Sequence, residues 1–278
     1  MVPFGRVAKA EAEPEALQDR LMDYTITAVD RSLRVLEVLA EHPGISITDI
    51  ATLTGNTRSL VFRILFTLER RGYVIKDPVQ RTYTLGYRPL YLGGQALDQS
   101  QLLRVAGPYL EDLGENCDDN INMLVRDGTS GVCIYNRQAA DQRQLYARVG
   151  RRIPLHVGGG PKILLAFAPE DVQEEILNSA LEAFTKETMT DATSLRAVLA
   201  SIRQTGINES HGEIDRDTFS VGGAIYQRNG DVIAALSVAG PMAHLEEMGP
   251  DFYRRLVRDA CEQISEAVGW RSKQHAVV

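Results

Sequence analysis

Cysteine is scarce in this chain. Its 278 residues hold three, Cys117, Cys133 and Cys261, and no two are closely spaced. That excludes a disulfide framework and a clustered zinc site, and it suits a reducing compartment. Cys133 lies in an apolar stretch and reads as buried filler rather than a nucleophile. A run of about 18 apolar residues is also missing, so no membrane span is expected. The opening MVPFGRVAKAEAEPEALQDR has no apolar core followed by a small-residue cleavage site, so no secretory leader is expected and the cytoplasm is the expected location. His42, His156, His211, His244 and His275 show no His-x-x-x-His spacing, so no metal site is expected. The glycine run GGGPK lacks the spacing and the Gly-Lys-Ser/Thr ending of a phosphate loop. No cofactor and no enzymatic activity are expected.

What is present is an uneven charge. The net value of −7 argues against nucleic acid when taken whole. Residues 57–88, however, hold seven basic residues (Arg58, Arg63, Arg70, Arg71, Lys76, Arg81 and Arg88) against Glu69 and Asp77. Residues 96–278 carry a net −8. A compact basic segment beside an acidic region is the asymmetry expected when one domain meets DNA. A solvated charged face would look the same on charge alone.

The segment TAVDRSLRVLEVLAEHPG places Leu33, Val35, Leu36, Val38 and Leu39 at helical spacing and stops at Pro43-Gly44. In ISITDIATLTG, Ser46 and Asp49 resemble a capping box. Ile47, Ile50, Ala51 and Leu53 form a stripe, and Gly55 is the stop. GNTRSLVFRILFTLERRG then gives a third helix, capped by Asn56 or Thr57. Leu60, Val61, Ile64, Leu65 and Leu68 fall on its apolar face, while Ser59, Phe62, Arg63, Phe66 and Arg70 fall opposite. Two β-rich runs, 73–75 and 82–85, flank Asp77-Pro78 as a hairpin. Three helices with a tight turn before the third, then a hairpin, make the winged helix-turn-helix pattern. Its third helix enters the major groove, although such a unit can also serve dimerisation or protein docking.

Residues 89–101 read as a linking helix weakened by Gly93-Gly94. Beyond it, INMLVRDG and GVCIYNRQ pair around Asp127-Gly128, and VGGAIYQRNGDVIAALSVAG is a hairpin with Asn229-Gly230 at its tip. PKILLAFA and PEDVQEEILNSAL each open on proline, a good first helical residue. Further helices close at Gly206 and Gly269, and Asp118-Asp119 reads as a polar loop. Mixed helices and hairpins imply an α+β domain around an antiparallel sheet.

Five stretches in this order resemble the IclR-type transcriptional regulators over roughly residues 25–270. They are RSLRVLEVLAEHPG, ISITDIATLTGNTRSLVFRILFTLERRGYVIKD, RTYTLGYRPLYLG, RRIPLHVGGGPKILLAF and GDVIAALSVAGP. The resemblance implies an α+β chain with a flexible segment 1–22, a winged helix-turn-helix DNA-binding domain 23–88 and a linker helix 89–101. An effector-binding domain with a GAF-like fold and an antiparallel sheet follows over 102–271, with a tail at 272–278. It also implies a double-stranded DNA operator, a small organic effector such as an organic acid or aromatic catabolite, and a homodimer or dimer of dimers. The competing class is a small-molecule-binding module or enzyme with a helical docking domain.

On this footing Thr57, Arg58, Ser59, Phe62 and Arg63 are the expected DNA contacts on the third helix, with Arg81 on the wing. An arginine there can reach guanine O6 and N7, and Phe62 can lie on thymine methyls. The expected effector contacts are Leu145, Ile153, Gly158, Gly159, Gly160, Thr218, Ser220, Ser237 and Ala239. The glycines permit close backbone approach and can present N–H groups to a carboxylate. Lys162 reads as structural. The chain departs from the family pattern at Phe62 and Phe66, at Pro161 and Asp217 where glycine is common, and at Ala239 where a hydroxyl is frequent.

Overall fold

The computed structural model describes residues 24–139 and 146–271. The expected flexible segment 1–22, the tail 272–278 and the candidate Leu145 lie outside these residues. The chain divides into two compact units, 1–95 and 96–278.

In the first unit α1 (Thr27–Glu41) is followed by β1 (Ile45–Ser46), α2 (Ile47–Thr54) and α3 (Arg58–Arg70). The hairpin β2 (Val74–Lys76) and β3 (Thr82–Leu85) comes next. Ser46 Oγ caps α2 by accepting the Asp49 N–H at 3.3 Å and donates to Asp49 Oδ2 at 2.7 Å; the aspartate thus meets the serine hydroxyl rather than the backbone N–H that a full capping box would use. Gly55 ends α2 at φ +65°, a left-handed conformation that costs glycine least. Thr57, not Asn56, caps α3 by accepting the Leu60 N–H at 3.3 Å. Val35, Leu39, Ile50, Val61 and Leu65 form the fully buried centre of this unit, each contributing about 1.5–3 kcal/mol by leaving water. Leu33 and Leu53, expected in the apolar stripes, are instead exposed, because the buried stripe is narrower than the apolar pattern. β1 was not legible in the sequence. Its two residues pair with Tyr83 and Thr82 and make the sheet order β1-β3-β2.

The helix α4 (Arg88–Asp98) buries none of its residues, and α5 (Gln101–Glu115) begins at a Ser100 cap. The second unit is built on one antiparallel sheet of order β6-β5-β4-β9-β8-β7. Its strands are β4 (Asn120–Asp127), β5 (Ser130–Arg137), β6 (Arg152–Pro154), β7 (Ile207–His211), β8 (Thr218–Tyr226) and β9 (Val232–Pro241). The helices are α6 (Gly159–Ala166), α7 (Glu170–Leu177), α8 (Ala192–Thr205), α9 (Met242–Met248) and α10 (Pro250–Ala267). Strand alternation sorts side chains between two layers. Phe219, Val221, Leu236 and Val238 pack in one apolar cluster with Leu110 of α5 and Val257 of α10. Ala224 and Ala235 pack in the other, with Leu164 of α6 and Leu199 of α8. The same alternation sends Ser220, Gly222, Ser237 and Ala239 to the α6 side.

Three local expectations are corrected. Helix α6 starts at Gly159, so Pro161 is its third residue rather than its first; the first four helical N–H groups lack intrahelical partners, so proline forfeits no bond there. Pro169 is the N-cap of α7. Asp119 is not in a solvated loop. It is buried, accepts the Tyr253 hydroxyl at 2.6 Å and lies 2.9 Å from His244 Nδ1. Asp217 adopts φ +59°, which explains in physical terms why glycine suits that turn; aspartate is among the few other residues that tolerate it.

Candidate nucleic-acid interface and ligand cavity

On α3 the inward residues Val61, Ile64, Leu65 and Leu68 are buried. The outward face presents Arg58, Ser59, Phe62, Arg63, Phe66 and Arg70, all exposed. Two large aromatic side chains on such a face are unusual: Phe62 is 53% and Phe66 52% exposed. Their ring centroids are 6.5 Å apart with planes at 26°, and the Arg70 guanidinium sits 5.8 Å from the Phe66 centroid. Thr57 spends its hydroxyl as the helix cap. In the wing, the Asp77 carboxylate accepts the N–H groups of Val79 and Gln80 at 2.8 and 2.9 Å. Arg81 follows at φ +56° with its side chain exposed. Among the described residues, Arg58, Arg63, Arg70, Arg71, Lys76 and Arg81 form no ion pair. Their charge is therefore not neutralised within the fold, which is what a phosphate-facing surface needs.

The second unit holds a cavity of about 60 Å³ between the start of α6 and the sheet. Seven of the nine expected effector residues line it: Ile153, Gly158, Gly159, Thr218, Ser220, Ser237 and Ala239. Gly160 does not. A Cβ there would lie 2.9 Å from Leu124 Cδ1 and 3.3 Å from Ser237 Oγ, so its smallness seats the helix against the sheet. Gly158, at φ +80°, turns the chain into α6. Its N–H is already taken by Glu213 Oε2 at 3.0 Å, so it is not free for a ligand as expected.

Sequence reasoning missed Asn122, Tyr146, Ser210, Glu213 and Asp215, which also line the cavity. Asn122 and Ser210 carried a readable signal, being polar within strands. Asn122 Oδ1 accepts Asn136 Nδ2 at 2.7 Å, leaving its own amide nitrogen as a donor. Ser210 and Ser237 are more than nine-tenths buried, and among the described residues neither hydroxyl makes a hydrogen bond. Thr218 is engaged, donating to the Asp215 carbonyl at 2.6 Å. Behind the cavity, Lys162 (1% exposed) pairs with Glu213 Oε1. The Glu213 carbonyl accepts the Thr188 hydroxyl at 2.6 Å. The lysine is thus structural in the sense expected: it neutralises a buried carboxylate that in turn holds the turn into α6.

Away from the cavity, neither Cys117 nor Cys133 is an activated thiol. Burial pushes the thiols of Cys117 and Cys133 up to about 11, so both stay protonated near neutral pH. Among the described residues no group of three or more His, Cys, Asp or Glu could hold a metal ion, and no helix is long and apolar enough to cross a membrane.

Two family models match. The bacterial transcriptional regulator IclR C-terminal model covers residues 94–266, and the IclR helix-turn-helix domain model covers 28–78. The transcriptional regulator KipR of Bacillus subtilis is 27% identical over 243 residues, spanning 87% of this chain and 97% of its own. The transcriptional repressor AllR of Escherichia coli K12 is 29% identical over 247 residues, spanning 88% and 91%. An IclR family regulator from Brucella abortus superposes with a TM-score of 0.74 at 27% identity, over 93% of this chain and 97% of its own. An IclR homologue from Microbacterium hydrocarbonoxydans, solved with 4-hydroxybenzoate, gives 0.74 at 24% identity, over 87% and 98%.

Proposed function

The chain belongs to the IclR family of bacterial transcriptional regulators, and from that premise we propose that α3 reads an operator whose affinity is set by a small organic acid bound beside α6. The family supplies the coarse function: a helix-turn-helix unit that binds DNA and a C-terminal unit that binds an effector. Its named relatives are regulators and repressors rather than enzymes.

The observation that supports the effector site is the pair Ser210 and Ser237, residues almost wholly buried whose hydroxyls open onto one cavity and take no protein partner among the described residues. Hydroxyls left to the cavity in this way suit a polar guest. The N-terminal end of α6 adds the positive end of a helix dipole. Glu213 does not oppose an anion there, because Lys162 neutralises it. Both classes suggested by the sequence, organic acids and aromatic catabolites such as the 4-hydroxybenzoate held by the Microbacterium homologue, carry the polar group that these hydroxyls would receive.

On the DNA side, Arg58, Ser59 and Arg63 read base edges and Arg81 holds phosphate. The uncompensated charge of these arginines supports that division. Exposed Ile26, Val29 and Leu33 on and before α1 support assembly of a homodimer, or a dimer of dimers, in the cytoplasm; a two-fold assembly would call for a palindromic operator. The test joins both sites. A gel shift with the DNA upstream of its own gene should show salt-dependent, sequence-specific binding that a small organic acid alters. A thermal-shift screen of aliphatic and aromatic acids should find a stabilising ligand whose affinity falls about tenfold in Ser210→Ala or Ser237→Ala. If neither serine matters to the best ligand, the effector reading fails.

A further inference from the structure

Resting on the reading of α3 as the DNA-reading helix, we propose that Phe62 and Phe66 form a paired sensor for two thymine methyl groups in one half-site. The apolar side of α3 is complete without them, since Val61, Ile64, Leu65 and Leu68 fill the core. Both rings stand about half exposed on the opposite side, in line with Ser59, Arg63 and Arg70. Helix α3 carries three arginines against the single Glu69, and this charge favours a polyanion over an apolar protein face. The C5-methyl of thymine is the apolar group that the major groove displays at base edges.

Their centroids are 6.5 Å apart and their planes differ by 26°. Successive bases of one strand rise about 3.4 Å and turn with the duplex, which completes a turn in about 10–10.5 base pairs. Methyls on nearby bases therefore lie on the scale of the ring separation, and one turn of α3 gives each ring its own methyl. The Arg70 guanidinium, 5.8 Å from the Phe66 ring, braces the second ring and carries charge toward the backbone. Arg63, between the two rings in sequence and exposed, is left to reach a neighbouring base edge.

The experiment uses the full chain and a duplex from the DNA upstream of its own gene, trimmed to the footprint. Each thymine in turn is replaced by deoxyuridine, which removes only the methyl. Affinity should fall about fourfold at each of two nearby positions in a half-site, the loss expected for one buried methyl-sized group. Phe62→Ala should become indifferent to deoxyuridine at one of the two positions, and Phe66→Ala at the other. If no deoxyuridine duplex binds the wild-type chain more weakly than the parent, the rings serve another surface and the proposal is overturned. A single sensitive position, or sensitivity that survives both substitutions, overturns the pairing equally. Those outcomes leave the regulator reading intact. Absence of specific binding to the parent duplex would remove both.

Discussion

At the scale of single residues, the Lys162–Glu213 pair anchors the turn beside the α6 cavity. Both side chains are nearly inaccessible to water, and isolated buried charges are expensive. Glu213 also holds the Gly158 N–H at 3.0 Å, so it links the buried cation to the turn that starts α6. Removing one partner of such a pair costs about 3–5 kcal/mol, whereas replacing both by apolar groups is often close to neutral. Glu213→Gln should therefore lower the unfolding free energy by about 3 kcal/mol in urea titration. Lys162→Met with Glu213→Gln should recover a large part of that loss. If the double variant is no more stable than the single one, the pair is not what the turn depends on. The sequence let the lysine be read as structural, yet it could not name the partner, because Lys162 and Glu213 are distant along the chain and meet only when β7 and α6 pack.

At the scale of elements, the close approach of α6 to the sheet rests on the absence of side chains. A Cβ on Gly222 of β8 would lie 2.6 Å from the Gly160 nitrogen, with the Gly159 carbonyl group nearer still. No rotamer change relieves a clash with backbone, so Gly222→Ala must push α6 outward and enlarge or distort the cavity. A loss of about 3 kcal/mol or more is expected, in the range of overpacked cores. Gly93 in α4 is the contrasting case: a Cβ there meets nothing within 4 Å. Gly93→Ala should raise the melting temperature slightly, by the roughly 0.5–1 kcal/mol that alanine gains over glycine in a helix. Equal effects from the two alanines would refute the backbone-contact account. The same contrast shows what was legible beforehand. Helix stops at Gly55 and Gly206 and the hairpin tip at Asn229-Gly230 depend on local chemistry, and the sequence states them; for the α3 cap it leaves Asn56 and Thr57 open. The true start of α6 and the burial of Asp119 depend on neighbours brought in by the fold. So do the cavity positions of Asn122 and Ser210, and periodicity carries no information about those neighbours.

At the scale of the whole molecule, regulation requires that the two units exchange free energy, and that exchange has a measurable symmetry. The chain is acidic overall, at −7, while residues 57–88 hold seven cations against two acids. Binding to DNA should thus show a linear fall of log affinity with log salt, at about 0.9 per phosphate neutralised. Arg81→Ala should reduce that slope by about one per subunit bound while weakening all sequences alike, whereas Arg58→Ala should relax preference at one base position. An effector that only competed for the DNA surface would lower the apparent affinity without leaving a ternary complex. An effector in the α6 cavity must act by binding two states of the chain unequally. Linkage then fixes the size of the reverse effect: a ligand that weakens DNA binding tenfold must itself bind tenfold more weakly to the DNA-bound chain. Calorimetric titration of the acid into free protein and into the protein–operator complex measures both affinities. Equal affinities, alongside a clear effect of the acid on the gel shift, would show that the cavity is not the site through which the operator is controlled.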